Sequence, residues 1–254
     1  MSKQIRATYV NGVRGARTAA ARTGVLDRAE RSDSRFARWS RSLFAIWDID
    51  EMVELDLAWW TFDAMTAVDR FLATRPDATV VEYGSGASTL WLAKRAARVV
   101  SVEHDREWAT IVAAKLAERP DLEVDHRVVP PVETAGPTAF GSSKPGWQGY
   151  DFEDYVRGAD DIDGPIDLAV VDGRCRAKCF TQVLDRIAPD GLVLFDNTRR
   201  RRYADAITAT GLPTIETTGL TACLPYPDKT TLVFHDDEAR DRVERLLDGG
   251  HPGN

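Results

Sequence analysis

Residues 78–105 read ATVVEYGSGASTLWLAKRAARVVSVEHD, and two hydrophobic periods meet in them. Thr79, Val80 and Val81 form a short β-branched run, as a buried parallel strand requires. The run stops at Glu82-Tyr83-Gly84-Ser85-Gly86. Leu90, Leu92, Ala93 and Ala97 then give a helical pattern that opens near Ala87 or Ser88. A second β-branched run, Val99-Val100-Ser101-Val102, closes on Glu103. Strand, glycine turn, helix, strand and acid together make one βαβ unit suited to a nucleoside.

The residue types match that task. Gly84 and Gly86 lack a Cβ, so the backbone turns tightly and a ligand can approach it. A helix N-terminus offers free N–H groups to an anion. Glu103, at a strand's carboxyl end, can accept two hydrogen bonds from a ribose diol. A dinucleotide and S-adenosylmethionine both fit this outline. The dinucleotide fingerprint wants a third glycine three residues after the second, where a pyrophosphate comes close. Here that position is Thr89. Glu82, two residues before Gly84, also suits an ammonium group better than two phosphates.

Glu82-x-Gly84-x-Gly86 followed by Val102-Glu103 resembles the first two motifs of the class I S-adenosylmethionine-dependent methyltransferases. The resemblance extends over residues 59–235. It implies that Glu82, Gly84 and Gly86 hold the methionine part and Glu103 the ribose. Tyr83, Ser85, Ser88, His104 and Asp172 would complete the cofactor site.

The rest of the chain alternates in the same way. Phe36, Trp39, Leu43, Phe44 and Trp47 predict an amphipathic helix, and residues 51–73 a second, ended by Arg75-Pro76-Asp77. Asp105 can cap a helix over 106–118, and 122–129 reads as a third strand. Residues 133–149 are rich in Gly, Pro and Ser and carry Trp147, so they read as a lid. Residues 166–171 are the fourth strand, ending in Asp172-Gly173, and a helix follows to Ile187. Asp190-Gly191 is the next turn, and 192–195 the fifth strand, ending in Asp196-Asn197. A helix over 203–210 leads to strands at 214–218 and 230–234, close enough for a hairpin with one antiparallel strand at the sheet edge. This pattern resembles the α/β Rossmann-like three-layer sandwich of class I methyltransferases, with a mostly parallel seven-stranded sheet ending in an antiparallel hairpin. The domain would span 51–254, after an N-terminal helical extension, basic in charge, over 1–50.

Composition sets the bounds. The 254 residues contain no apolar run long enough to cross a membrane, and no signal-peptide pattern opens the chain, so a cytoplasmic protein is expected. Cys175, Cys179 and Cys223 are too few for a disulfide scaffold. Cys175 and Cys179, spaced i, i+4, would share one helix face and read as packing. The net charge of −7 is uneven: ten basic residues up to Arg41 face three acids, so that segment carries +7 and the remainder −14. Such an arm can bind nucleic acid, or fold onto its own body or a twin subunit. No aromatic or RNA-binding pattern accompanies the arginines, which disfavours nucleic acid and leaves a homodimer open.

Glu82, Glu103, Asp172 and Asp196 fall at the carboxyl ends of strands, where open α/β sheets bind ligands. Asp172 followed by Asp196-Asn197 is similar to the metal-binding set of catechol-type O-methyltransferases. That similarity implies Mg²⁺ on Asp172, Asp196 and Asn197, with both aspartates catalytic. Those enzymes carry a lysine base three residues after the first aspartate; here that position is Cys175. Helix capping is the alternative role for all three. Trp59, Trp60, Trp147, Arg174 and Arg199 are the candidate contacts for the methyl acceptor. Arginines at 199–202 open a helix, oppose its dipole and call for an anion nearby. The reading is an S-adenosylmethionine-dependent methyltransferase acting on a small molecule, at oxygen first of all. Its rivals are a nucleic-acid methyltransferase using the basic arm, and a non-catalytic homologue that binds the cofactor.

Overall fold

The structure, a computed structural model, describes residues 34–248 together with residues 12, 13, 17, 22, 24, 26 and 32. Of the helical extension expected over 1–50, the part before residue 34 therefore lies almost wholly outside the described residues. Helix α1 (Arg35–Ser42) runs into a single 3₁₀ turn at Leu43–Ala45 and is followed by α2 (Ile49–Glu54) and α3 (Phe62–Ala73). The single helix expected over 51–73 is thus broken. Asp56 takes a left-handed φ of 50°, Trp60 drops fully into the core, and Thr61 caps α3 by accepting the Ala64 N–H at 3.3 Å. Burying one large indole outweighs the helical pattern around it.

The glycine unit folds as β1 (Thr79–Tyr83), α4 (Ala87–Ala93) and β2 (Arg98–Glu103). Asp105 caps α5 (Arg106–Ala117) through the N–H groups of Glu107 and Trp108, and β3 (Val124–Val128) follows. The two-residue strands β4 (Val132–Glu133) and β5 (Tyr150–Asp151) pair antiparallel and frame the expected lid segment. After α6 (Glu153–Val156) come β6 (Ile166–Val171), α7 (Arg176–Leu184), β7 (Ile187–Phe195) and α8 (Arg201–Thr208). Strands β8 (Thr214–Gly219) and β9 (Asp228–Phe234) and helix α9 (Asp237–Asp248) close the described chain. Among the described residues, no helix is long and apolar enough to cross a membrane.

The seven-stranded sheet has the order β3-β2-β1-β6-β7-β9-β8. Only β9 runs against the others, pairing antiparallel with β7 on one side and β8 on the other. The antiparallel strand is therefore not at the edge, as expected, but next to it. The residues explain the order. Thr230 to Phe234 of β9 are all buried, whereas β8 is mostly half-exposed, so the strand that can be covered on both faces goes inside.

Strand β7 also starts earlier than expected. The helix before it ends at Leu184, and Asp190-Gly191 lies within the strand instead of forming a turn. The register against β6 slips between Ile166 and Leu168. Gly191 permits this, because a Cβ there would sit 2.7 Å from the Asp167 carbonyl oxygen.

Alternation along the strands builds two apolar layers. Val80, Leu168, Leu194 and Phe234 face α3, α4 and α9, while Val81, Ala169, Phe195 and Val233 face α6, α7 and α8. Helix α9 has few apolar positions and so gives little periodic signal. It buries Ala239 and Val243, and Arg70 of α3 donates to the Leu247 carbonyl at 2.9 Å. Gly191→Ala should cost about 2 kcal/mol by overpacking. Chemical denaturation would show a lowered midpoint with an unchanged slope.

Candidate active site

Glu82, expected to meet the ligand, faces the other way. Strand β1 runs two residues beyond the β-branched run, so the period of two turns Glu82 under α4. It is wholly buried. Its Oε1 accepts the Ser88 hydroxyl at 2.5 Å, and its Oε2 accepts those of Thr89 at 2.6 Å and Ser101 at 2.5 Å. The same Thr89 oxygen accepts the Gly86 N–H at 2.9 Å. Glu82 and Ser88 therefore tie the glycine turn to the sheet rather than face its outer side. Burial pushes the Glu82 carboxyl up to about 7, against the three hydroxyl donors, and the charge of Asp172 adds to the rise.

Gly84 has φ 98°, and a Cβ on it would lie 2.7 Å from the Gly173 backbone. The glycine turn and the turn after β6 thus touch backbone to backbone. A Cβ on Gly173 would in turn meet the Tyr155 hydroxyl at 1.9 Å. Tyr83 points away from this edge and donates from its hydroxyl to the Val156 carbonyl at 2.8 Å. Gly86 is extended and open: a Cβ there would find nothing closer than 3.9 Å.

Glu103 closes β2. Its Oε2 accepts the Ser85 N–H at 3.0 Å, and its Oε1 accepts those of His104 at 2.8 Å and Asp105 at 2.7 Å. These three bonds fix the carboxylate and leave Oε2 able to accept one further hydrogen bond. His104 Nδ1 lies 2.7 Å from Oε1 but out of line for a hydrogen bond. The His104 ring stands edge-on to Trp147 at 4.8 Å and to Tyr155 at 5.6 Å, so the 134–149 segment lays an aromatic wall beside Glu103. His126 of β3, not singled out from sequence, reaches Ser85 Oγ at 3.1 Å, and Trp108 donates to the Ser85 carbonyl at 2.7 Å.

At the ends of β6 and β7 the expected metal set takes another form. Arg176 lies between the two aspartates. Its guanidinium donates to the Asp172 carboxylate and carbonyl, both at 2.6 Å, to the Asp196 carbonyl at 2.7 Å and to the Gly173 carbonyl at 3.2 Å. It also stands 3.6 Å from the Asp196 carboxylate. Thr230 donates to Asp196 Oδ1 at 2.7 Å, and the Asn197 amide nitrogen donates to Asp196 Oδ2 at 2.5 Å and to Asp228 at 3.0 Å. The place of a divalent cation is thus taken by a guanidinium, and Asn197 offers its donor rather than its oxygen. These residues do not fit a metal ion. Among the described residues no cluster of three His, Cys, Asp or Glu suits one either.

The acids are not equivalent. Asp196 is 3% exposed and Asp172 21%. Burial pushes Asp196 up to about 7, helped by Asp172 and opposed by Arg176. Burial also raises Asp172, with Arg176 opposing most strongly. Cys175, at the position of the expected base, is held up to about 11 by burial, so it stays a thiol, and donates to the Phe140 carbonyl at 3.1 Å. It does not share a helix face with Cys179: it precedes α7 in a left-handed conformation, φ 46°. Asn197 is left-handed too, φ 58°, so both turns at this edge carry a non-glycine residue in a costly conformation.

The tryptophans divide. Trp60, expected at the acceptor, is buried against Trp91 at 5.7 Å, and its indole N–H is turned toward Asp172, short of hydrogen-bond geometry. Trp59 packs edge-on against Trp47 at 4.7 Å. Trp147 reaches the Glu103 end instead. Arg174 lies beside Asp172, and Arg199 donates to the Pro227 carbonyl at 2.7 Å. Arg176 is legible in principle, four residues after Asp172 at a spacing where side chains meet. Thr230 and Asp228, far off in sequence, carry no local signal.

A family model for a methyltransferase domain matches residues 81–198. No curated protein matches the chain. Among solved structures, a methyltransferase-like protein from Silicibacter pomeroyi is 24% identical, covering 74% of this chain and 95% of that one, with TM-score 0.43. An rRNA methylase from Streptococcus thermophilus is 14% identical over 66% and 93%, TM-score 0.47. A precorrin-6Y C5,15-methyltransferase from Geobacter metallireducens is 11% identical over 68% and 86%, TM-score 0.48. The chain carries a methyltransferase domain. The matched residues run from the end of β1 through the glycine turn, Glu103 and Asp172 to the turn after β7, so this part of the chain is similar to that domain.

Glu82 gives the site a pH signature. Its folded value of about 7 lies above the ordinary 4.5, so its stabilising effect is full below 4.5 and is lost as pH rises to 7. Glu82→Gln should flatten that part of the stability–pH curve. Denaturation midpoints between pH 5 and 8 would test it, and equal slopes in both proteins would count against a buried titrating Glu82.

Proposed function

We propose that the chain methylates a hydroxyl oxygen of a small molecule at the edge between β1 and β7. The cofactor fits the residues present: Gly86 leaves the backbone open, and Glu103 keeps an acceptor for a ribose. When bound, S-adenosylmethionine supplies an electrophilic methyl group. The chain orients the acceptor and takes its proton. The observation that carries the reading is the contrast between the acids: Asp172 alone among Glu82, Asp172 and Asp196 keeps appreciable exposure, and its raised carboxyl is suited to accept a proton. Arg176 holds Asp172 in place. No metal enters, because Arg176 already provides the positive charge.

The basic arm supports a small-molecule acceptor over nucleic acid. Arg17 and Arg41 converge on the buried Glu51, and Arg35 pairs with Asp63 at 2.5 Å, so these cations are already engaged by the protein. In this reading residues 51–254 are the catalytic domain and the first fifty residues an extension, of which Ala45, Ile46 and Ile49 join the domain's core.

S-adenosylhomocysteine at a hundredfold its dissociation constant should stabilise the protein by about 2.7 kcal/mol, and Glu103→Ala should abolish most of the shift. Asp172→Asn should lower kcat by about a hundredfold while leaving that binding intact. EDTA should change neither quantity. A turnover that collapses in EDTA and returns with Mg²⁺ would refute the metal-free reading.

A further inference from the structure

The four arginines at 199–202 and the cations around them remain unaccounted for. Three positive side chains from distant parts of the chain lie within electrostatic reach of one another near the ends of β6 and β7. Arg174 follows β6, Arg200 precedes α8, and Lys144 comes from the 134–149 segment. That segment is brought in by the bond from Cys175 to the Phe140 carbonyl. Their mutual repulsion is felt. Lys144 is held below its ordinary value by loss of hydration, then by Arg174, Arg200 and Arg176. Arg174 is lowered by burial, then by Arg176.

None of the three forms an ion pair with an acid among the described residues, although Asp172 lies near Arg174 and the body of the chain is strongly acidic. Asp172 and Asp196 are matched by Arg176. The Arg174 Nε is buried with no hydrogen-bond partner at all. Arg200 lies over the Tyr203 ring at 5.8 Å, a ring that Arg202 also covers at 4.7 Å. Burial would raise the Tyr203 hydroxyl, yet these guanidinium groups hold it below its ordinary value. Helices α7 and α8 both begin here, with no side-chain cap and no acid in their first turns. Two uncapped helix starts and three unmatched cations make a concentrated positive field, and a buried guanidinium nitrogen without a partner is costly unless something fills its bond.

We propose that the methyl acceptor is an oxyanion, a small molecule whose phosphate or carboxylate group is gripped by Lys144, Arg174 and Arg200 next to Asp172. The proposal rests on the acceptor reading above. Guanidinium groups bind both oxyanions through paired N–H donors. The anion fixes one end of the molecule, and a hydroxyl at its other end is brought to Asp172.

The test titrates the full chain with inorganic phosphate, and separately with acetate, at constant ionic strength set by chloride. Thermal stability is read with and without S-adenosylhomocysteine. A saturable shift with either anion is expected, and the anion used tells phosphate from carboxylate. In Arg200→Gln and Lys144→Gln the anion should bind about tenfold more weakly, with S-adenosylhomocysteine affinity unchanged. Arg174→Gln should act alike, and the two exposed-side variants keep the test valid if it folds poorly. No saturable shift with either anion, or an equal shift in all variants, overturns the proposal. A protein that binds phosphate but not S-adenosylhomocysteine would keep the anion site and overturn its role in holding a methyl acceptor.

Discussion

One buried guanidinium holds the working edge of this protein together. Arg176 spreads its N–H groups over the carbonyls of Asp172, Gly173 and Asp196 and the carboxylate of Asp172. Those oxygens belong to the ends of two neighbouring strands, so the fork sets the distance between β6 and β7 where the chain leaves the sheet. It also neutralises charge that could not otherwise be buried. Removing one member of a buried ion pair typically costs about 3–5 kcal/mol, because the remaining charge is stranded. An arginine does not lose its proton at any pH a protein meets, so this positive charge is permanent.

The consequences spread along the edge. With Arg176 placed, the Asp172-Gly173 turn is fixed, and Gly173 can press against Gly84 with no side chain between them. The glycine turn is then held from two directions, by Gly173 on one side and by Glu82 with its three hydroxyl donors on the other. Glu103 completes the frame through Ser85. The parts that would meet a cofactor and the parts that would meet an acceptor are therefore one bonded network. Its charges are coupled, since Asp172 raises both Glu82 and Asp196.

Much of this is legible in the sequence, for reasons that differ by residue. The short apolar runs at 79–81, 99–102 and 166–171, bounded by turn residues, read as buried strands, and Gly84 and Glu103 stand at spacings that local chemistry explains. Direction and contact are what the sequence hides. Glu82 looks outward if the strand stops with its β-branched run, and a shift in strand end reverses the reading of a face. The helical pattern over 51–73 conceals a break, because nothing local announces that Trp60 is pulled inward. Asp172, Asp196 and Asn197 resemble a metal set because the chain orders the acids without showing which cation lies between them. The partners Thr230 and Asp228 depend on where the last hairpin lands, which no local pattern carries.

That hairpin has an effect on how the site is made. Strand β9 runs antiparallel, so its first residues, not its last, lie at the carboxyl edge of the parallel strands. Thr230 and Asp228 thereby reach Asp196 and Asn197 from more than thirty positions further on. Strand β8, made earlier, has no place in the sheet until β9 slots between it and β7. A chain still emerging from the ribosome can fold its glycine turn and close Glu103 over it, but it leaves Asp196 unsupported. The Asp196 end of the edge is thus built last, and a chain cut short before residue 228 would keep its glycine turn and Glu103 but leave Asp196 and Asn197 without Thr230 and Asp228.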